Sequence, residues 1–288
     1  FRITKIKNSK PLISLKKISL SFKKNHLILD NISLDISKGQ VIGLLGPNGA
    51  GKSSLMNLIT GAIKPNFGNI IINNEDITQY PIYNRTKKFK ISFVPQIGGF
   101  FSDLTAEDNL NAIGEILIKD LKNRKLKIEE LISKFELDAV RKVEAKFLSG
   151  GMKRRLVISM SLLGEPEILL MDEPFVSLDQ PTSENLYDVL VSYRKKKPIT
   201  VIFITHMLKE ALLLGDRILF FSKKPGTVVF DYKVKSIRKP LTLDNKSVDS
   251  EYKKLKSKYI FVFIPLYGIS IMKKNSLSYK VSVFGLKD

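Results

Sequence analysis

The chain has no cysteine at all, and in 288 residues its only histidines are His26 and His206. Without thiols there is neither a disulfide scaffold nor a thiolate metal site. Two histidines also argue against a histidine-based metal centre. A reducing compartment fits this composition. The absences therefore argue against both a disulfide-bonded scaffold and a metal centre built from these residue types.

Long apolar runs are missing too. The longest apolar stretch, Tyr259–Met272, has 14 residues and includes Pro265 and Gly268, whereas a helix needs about 20 mostly apolar residues to cross a bilayer. Hydrophobic residues still make up 43% of the chain, which is enough to bury a core. We therefore expect no membrane span, so that any link to a membrane would run through a partner.

Charge is strongly one-sided, with 48 basic against 28 acidic residues and a net charge of +20. Such an excess is typical of many nucleic-acid-binding proteins. Here, however, 39 of the basic residues are lysine and only nine are arginine. The sequence contains no nucleic-acid recognition module. We attribute the charge mainly to composition bias and expect no nucleic-acid partner, while a basic surface also suits anionic lipid.

Apolar patterns outline alternating strands and helices. Alternation over 12–36 predicts short strands around a turn, and a spacing near 3.6 predicts a mostly helical segment over 104–163. Further elements are three buried strands and one helix, predicted at Gln40–Leu45, Ile168–Asp172, Thr200–Thr205 and Ser53–Thr60. Strands that alternate with helices predict an α/β fold around a mostly parallel sheet, covered on both faces.

One segment matches the pattern G-x-x-x-x-G-K-[ST] at every position and lies between a predicted strand and a predicted helix. It consists of Gly46, Pro47, Asn48, Gly49, Ala50, Gly51, Lys52 and Ser53. Glycines let consecutive backbone N–H groups turn toward one anion, and the helix N-terminus adds partial positive charge. We expect Lys52 to reach the β- and γ-phosphates of ATP, Ser53 to bind Mg²⁺ and Ser54 to lie at the same site. The segment predicts a nucleotide-binding phosphate loop.

Two acidic residues, Asp172 and Glu173, end the buried strand in ILLMDEP. Open parallel sheets bind ligands at the carboxyl ends of their strands. We expect Asp172 to hold Mg²⁺, directly or through water, and Glu173 to polarise the attacking water as general base. An acidic pair that simply closes a strand before a proline turn is the alternative. The phosphate loop favours the catalytic interpretation.

The segment LSGGMKRR, residues 148–155, resembles the signature sequence of ABC transporters and lies, as in that family, between the phosphate loop and the acidic strand end. Other positions resemble further family motifs in the family's order. These are the adenine-stacking aromatic, the Q-loop in FVPQ, the D-loop in SLD and the switch histidine in FITH, at Phe22, Gln96, Asp179 and His206. The chain is therefore identified as similar to ATP-binding subunits of ABC transporters.

This resemblance implies a P-loop NTPase of ABC type, whose mostly parallel core sheet carries an antiparallel β subdomain and a helical subdomain. The cassette would span residues 12–235, with the helical subdomain at about 97–163. A basic appendage of unknown role would follow over 236–288. The resemblance to the family ends at about residue 235, and the composition changes nearby, since residues 221–288 hold 15 basic but only five acidic residues.

In the family, two identical or related ATPase subunits dimerise head to tail around ATP and Mg²⁺. The resemblance implies that Ser149, Gly150 and Gly151, at a helix start, face the γ-phosphate held by the partner's phosphate loop. His206 would donate to the γ-phosphate, and Gln96 would contact Mg²⁺ or the attacking water. ATP would thus hold the dimer together, and hydrolysis would release it.

Some positions have alternatives or depart from the family. Asp179 also suits a helix N-cap, and Phe22 also suits a core strand. Met152 stands where the family usually has Gln, which removes an amide but keeps the backbone cradle. Phe22 replaces the commoner Tyr and can still stack. Neither departure argues against ATPase activity.

The type of transporter has competing interpretations. Residues 68–110, with their Pro-x-x-x-Arg, VPQ and LTAEDNL segments, resemble the ATPase of lipopolysaccharide export, whereas MDEPFVSLDQPT and FITHMLKEALLLGDRILFFSKKPGTVV are similar to nitrate, sulfonate or taurine importer ATPases. The first segment normally lies beside the permease, so we favour export. Either interpretation predicts permease partners and a peripheral position on the cytoplasmic face of the inner membrane. A soluble ABC ATPase that acts on ribosomes or nucleic acid is disfavoured, because the chain has one cassette of ordinary spacing.

Apolar side chains follow the Q-loop glutamine at Ile97, Phe100, Phe101 and Leu104. A cluster of this kind in a loop predicts a groove for an amphipathic helix of a membrane partner. Packing inside the helical subdomain is the alternative.

Overall fold

The computed structural model describes residues 10–22, 26–234 and 242–258. Its larger sheet has six strands in the order β10-β9-β3-β8-β7-β6. Neighbours pair in parallel except for the antiparallel pair β9 and β10. The strands are β3 (Val41–Leu45), β6 (Ile91–Val94), β7 (Ile168–Met171), β8 (Thr200–Ile204), β9 (Arg217–Phe221) and β10 (Val228–Lys233). The three buried strands expected from apolar runs are β3, β7 and β8, each within a residue of its expected ends.

A smaller sheet of four antiparallel strands has the order β2-β1-β4-β5. Its strands are β1 (Ile13–Ser21), β2 (Leu27–Ile36), β4 (Phe67–Ile72) and β5 (Glu75–Asp76). The expected pair of strands around a turn is the hairpin of β1 and β2, so the antiparallel β subdomain is confirmed.

The described part of the chain forms eight α-helices. They are α1 (Lys52–Thr60), α2 (Ile82–Phe89), α3 (Ala106–Leu117), α4 (Leu121–Lys134), α5 (Gly150–Leu162), α6 (Gln180–Lys196), α7 (Leu208–Leu214) and α8 (Lys246–Lys258). None of these helices is long and apolar enough to span a bilayer.

The unbroken apolar character of the central strands reflects burial on both faces of the larger sheet. Along β3, Val41 and Leu45 join one hydrophobic cluster, whereas Ile42 and Leu44 join the other. The first cluster includes residues of α3 to α8, and the second includes α1 and the smaller sheet. Successive side chains of a strand point to opposite faces, so this sheet is sandwiched between two layers. Its carboxyl edge is left for the loops that carry the candidate site.

The expected helical segment over 104–163 consists of α3, α4 and α5 with two short 3₁₀ turns. Each of the three helices begins after a residue whose side chain accepts a hydrogen bond from a backbone N–H of the first turn, which stabilises a helix start. The pairs are Thr105 with Asp108 (3.1 Å), Asp120 with Asn123 (2.7 Å) and Ser149 with Met152 (3.2 Å). The start of each helix in this subdomain is therefore set by a capping residue in the local sequence.

Residues 242–256 pack on the cassette rather than forming a separate appendage. Leu243, Val248 and Leu255 are buried in the same cluster as the central sheet, and Lys209 of α7 pairs with Asp249 at 2.7 Å. The domain boundary expected at 235/236 stays a prediction, and this packing favours a later end of the packed domain. The sequence did not predict α8, because its many charged residues outnumber the few regularly spaced apolar residues that it buries. The apolar stretch at 259–272 lies outside the described residues.

A chain that ends at residue 234 is expected to unfold at a lower temperature than the full chain. Burying an aliphatic side chain contributes about 1.5–3 kcal/mol, and this truncation removes the three buried ones of residues 242–256. A chain that ends at Lys258 keeps α8 and is the control. Thermal unfolding followed by circular dichroism measures the effect. Equal midpoints for the two truncated chains would show that α8 adds nothing to stability.

Candidate functional site

The phosphate loop connects the end of β3 to the start of α1. Two of its three glycines adopt left-handed backbone conformations, with φ of +75° at Gly49 and +83° at Gly51, the N-cap of α1. A Cβ on Gly51 would also meet Leu29 Cδ2 at 2.6 Å. Glycine is therefore required at this turn. The first N–H groups of a helix have no intrahelical acceptors, so the start of α1 is suited to bind an anion.

Lys52 lies across the loop that precedes it. Its Nζ donates to the carbonyls of Gly46 (2.7 Å) and Pro47 (2.9 Å), and the residue is only 5% exposed. Burial lowers the pKa of Lys52, although the carboxylates of Glu173 and Asp172 act in the opposite direction. The ammonium is therefore held beside the place where phosphates would bind, and its present acceptors are backbone groups.

Ser53 and Asp172 are brought together by the fold, from the start of α1 and the end of β7. The Ser53 side chain forms a hydrogen bond with Asp172, which is itself buried. Burial raises the pKa of Asp172 more than this hydrogen bond lowers it. A hydroxyl and a carboxylate are hard oxygen ligands of the kind Mg²⁺ prefers, and Mg²⁺ completes its shell with phosphate and water. The pair thus fits Mg²⁺, and the described residues hold no cluster of three or more His, Cys, Asp or Glu side chains that would bind a metal alone.

Glu173 is held between the two other residues expected to be catalytic. Gln96 Nε2 donates to Glu173 Oε2 at 2.7 Å, and His206 Nε2 lies 2.7 Å from Glu173 Oε1. Gln96 follows β6 and His206 follows β8, the strands on either side of β7. Parallel strands bring their carboxyl ends to one edge, so residues far apart in sequence meet here.

A buried network beside His206 went unnoticed in the sequence. Tyr187 of α6 donates to Glu210 Oε1 at 2.8 Å, and Thr205 donates to the other oxygen of Glu210. Thr205 also accepts a hydrogen bond from the N–H of Met207 (3.0 Å). Burial raises the pKa of Glu210 despite these donors. The network fixes the backbone on both sides of His206.

The signature residues Ser149–Gly151 lie at the start of α5, whereas the phosphate loop leads into α1. Ser149 and Gly150 are exposed at the start of α5, and among the described residues no hydrogen bond joins this helix start to the phosphate loop. Asp179 caps α6, since its carboxylate accepts from the N–H (2.9 Å) and hydroxyl (2.8 Å) of Thr182. Phe22 follows β1 with 61% of its surface exposed, so it does not lie in the core.

A phosphate loop at the start of a helix, with an acidic pair at the end of a parallel strand, defines a nucleotide-hydrolysing P-loop protein. Residues 29–176 match the family model described as ABC transporter. The chain is also 34% identical over 254 residues to the aliphatic sulfonates import ATP-binding protein SsuB of Bacillus thuringiensis, with 87% of this chain and 95% of that protein covered. The chain belongs to the ABC transporter ATP-binding proteins and is an ABC-type ATPase.

Other similar proteins agree. The tyrosine transport ATP-binding protein of Clostridioides difficile is 33% identical over 252 residues, which cover 84% of this chain and 99% of that protein. Among solved structures, a dimeric post-hydrolysis state of the ATP-binding cassette MJ0796 bound to ADP and Pi has a TM-score of 0.70 at 27% identity. The match covers 78% of this chain and 100% of that one. The expected fold class, a P-loop NTPase of ABC type, is confirmed.

These relatives bear on the type of transporter. The named sulfonate relative is an importer, and its similarity extends over most of both chains. The comparisons therefore favour the importer alternative over lipopolysaccharide export, which residues 68–110 had favoured. Similarity over most of the chain outweighs the resemblance of this one segment.

Proposed function

We propose that the chain hydrolyses ATP with Mg²⁺ through the residues assembled at the carboxyl edge of the larger sheet. Lys52 binds the β- and γ-phosphates, Ser53 and Asp172 hold Mg²⁺, and Glu173 accepts a proton from the attacking water. Bound Mg²⁺ would neutralise charge on the phosphates. The observation that carries the proposal is the placement of Glu173, with both carboxylate oxygens oriented by neighbouring side chains.

The site needs a second ATPase subunit to be complete. The exposed start of α5 at Ser149–Gly151 offers free N–H groups to the γ-phosphate held by a partner. A head-to-tail dimer, of two copies or of two related subunits, supplies this contact in both directions. The dimeric form of the similar cassette supports this arrangement. Phe22 would stack on adenine, Asp179 would lie at the dimer contact, and Gln96 and His206 would contact the γ-phosphate side.

We further propose that this ATPase drives import through membrane permease subunits, bound peripherally at the cytoplasmic face of the inner membrane. Importer names among relatives that match most of the chain support this reading. Its direction is testable in proteoliposomes that contain the purified complex with permease. An importer moves its cargo into the compartment that contains the ATPase subunits when ATP is supplied there. ATP-driven movement out of that compartment would favour export instead.

Permease binding is expected to depend on the apolar residues after Gln96. Ile97 is 88% and Phe101 51% exposed, whereas Phe100 packs against the core cluster. Phe101→Asp should abolish co-purification with the permease from solubilised membranes, because burying a charge in an apolar groove is costly. Basal ATPase activity of the isolated subunit should stay unchanged. Leu126→Asp, at another exposed leucine of the helical subdomain (61%), is the matched control. Equal permease recovery for both variants would rule out this docking surface.

A further inference from the structure

Arg154 lies on α5 and is almost completely buried, with 8% of its surface exposed. Its guanidinium donates to four backbone carbonyls: Nε to Pro174 (2.7 Å), Nη1 to Pro95 (2.6 Å) and Gln96 (3.4 Å), and Nη2 to Asp172 (2.9 Å). Arginine presents five N–H donors in a rigid planar fork, whereas lysine presents three donors at one point. The geometry of these four contacts therefore requires a guanidinium.

The four carbonyls surround the two side chains that meet at the site. Asp172 and Pro174 are the neighbours of Glu173 on either side. The other two carbonyls belong to Gln96 and to the residue before it. The hydrogen bond from Gln96 to Glu173 (2.7 Å) thus joins two backbone segments that Arg154 already holds together.

Glu173 has a reason to need this support. Its φ of +46° places it in the left-handed region, which is unfavourable for a residue other than glycine. Such a conformation persists only where the surrounding structure enforces it. Burial lowers the pKa of Arg154 to about 10, with Asp172 and Glu173 acting in the opposite direction. The guanidinium therefore stays charged at neutral pH.

We propose that Arg154 is a positioning residue for ATP hydrolysis, which fixes Gln96 and Glu173 relative to each other and ties both to α5. This proposal rests on the catalytic roles proposed above for Glu173 and Gln96. The same helix begins at Ser149–Gly151, the part offered to the ATP of the partner. Contact between that helix start and the partner's ATP is thereby linked, through the side chain of Arg154, to the position of the general base Glu173.

Arg85 provides a matched control within the same chain. It is fully buried, and its guanidinium also donates to four backbone carbonyls, those of Leu58, Ile59, Thr78 and Tyr80. Burial lowers its pKa to about 10 as well. These contacts join α1, α2 and the loop after β5, away from Gln96 and Glu173. Its removal measures the cost of losing a buried guanidinium alone.

The test compares both arginines in the full chain, at a temperature where circular dichroism shows each variant folded. Arg154→Met is expected to lower kcat on the order of 100-fold, since small misplacements of catalytic groups have effects of this size. The Kd for ATP should change less than about threefold, because only the catalytic step loses an interaction. Arg154→Gln should recover part of kcat, as its amide still donates to two carbonyls. Arg85→Met should lower the unfolding midpoint and keep kcat within about twofold.

A double-mutant cycle of Arg154→Gln with Gln96→Ala gives a second readout. If Arg154 acts by placing Gln96 and Glu173, the second substitution adds little to the first, whereas independent effects add. This cycle also carries the test if Arg154→Met does not fold. Any one of four results overturns the proposal. The first two are a kcat of Arg154→Met within twofold of wild type and an equal loss of kcat in Arg85→Met. The others are additive effects in the cycle and, if Arg154→Gln is the only variant that folds, no loss of kcat in it. Turnover retained in Glu173→Gln would instead overturn the proposed function.

Discussion

Glu173→Gln is expected to lower kcat by about 100- to 10,000-fold, the range that a general base contributes, while ATP still binds. The amide is nearly the same size but cannot accept a proton. It can keep one hydrogen bond to a neighbouring donor, so the local backbone should hold. Single-turnover hydrolysis and equilibrium ATP binding measure the two effects separately. With ATP bound and not hydrolysed, the variant should also run as a dimer in size-exclusion chromatography.

The control for this substitution is Glu167→Gln, at the start of the same strand. Glu167 pairs with Lys38 at 3.7 Å on the surface, far from the carboxyl edge where Glu173 lies, and its substitution should leave kcat unchanged. A Glu173→Gln chain that still hydrolyses ATP at the wild-type rate would refute the assignment of the base. A chain that binds ATP but stays monomeric would argue against the head-to-tail dimer.

Lys52→Ala is expected to weaken ATP binding by about 30-fold or more, because removing one partner of a buried, hydrogen-bonded charge pair costs about 2–5 kcal/mol. The nucleotide-free loop should tolerate the change, since the lost hydrogen bonds go to only two backbone carbonyls. Isothermal titration with ATP and Mg²⁺ measures the loss. Thermal unfolding without nucleotide checks that the loop has not collapsed.

Lys64→Ala is the matched control, since this lysine is exposed just beyond the other end of α1. It removes the same charge from the chain and so accounts for any general electrostatic effect on a nucleotide anion. If both variants bound ATP as the wild type does, the phosphate-loop assignment would be wrong.

Local patterns in the sequence predicted those elements whose character does not depend on distant contacts. The apolar runs of β3, β7 and β8 indicated burial on both faces, and the glycines before Lys52 indicated a turn. The edge strand β10 and helix α8 were not predicted, because the apolar–polar alternation of an edge strand is weak and α8 is rich in lysine. Their burial is set by what packs against them, which no local pattern contains.

The candidate site was predicted residue by residue, but its geometry was not. Gln96 and Glu173 are hydrogen-bonded although 77 positions separate them in sequence, and only the order of the parallel strands brings them to the same edge. The sequence predicted the buried contacts of Arg154 even less well, since an arginine in a strongly basic chain is expected to lie on the surface. Composition conceals a charged group whose partners are backbone carbonyls.

Ser149–Gly151 and the phosphate loop lie at the starts of different helices, and this has a consequence for how much ATP the subunits hydrolyse in the cell. On the head-to-tail proposal, a lone chain carries one half of each of two ATP sites and completes neither. Free subunits then hydrolyse ATP only when two of them associate. At low subunit concentration, the rate of hydrolysis therefore grows with the square of that concentration. A permease that holds two subunits side by side removes this dependence, so ATP use is concentrated where there is cargo to move.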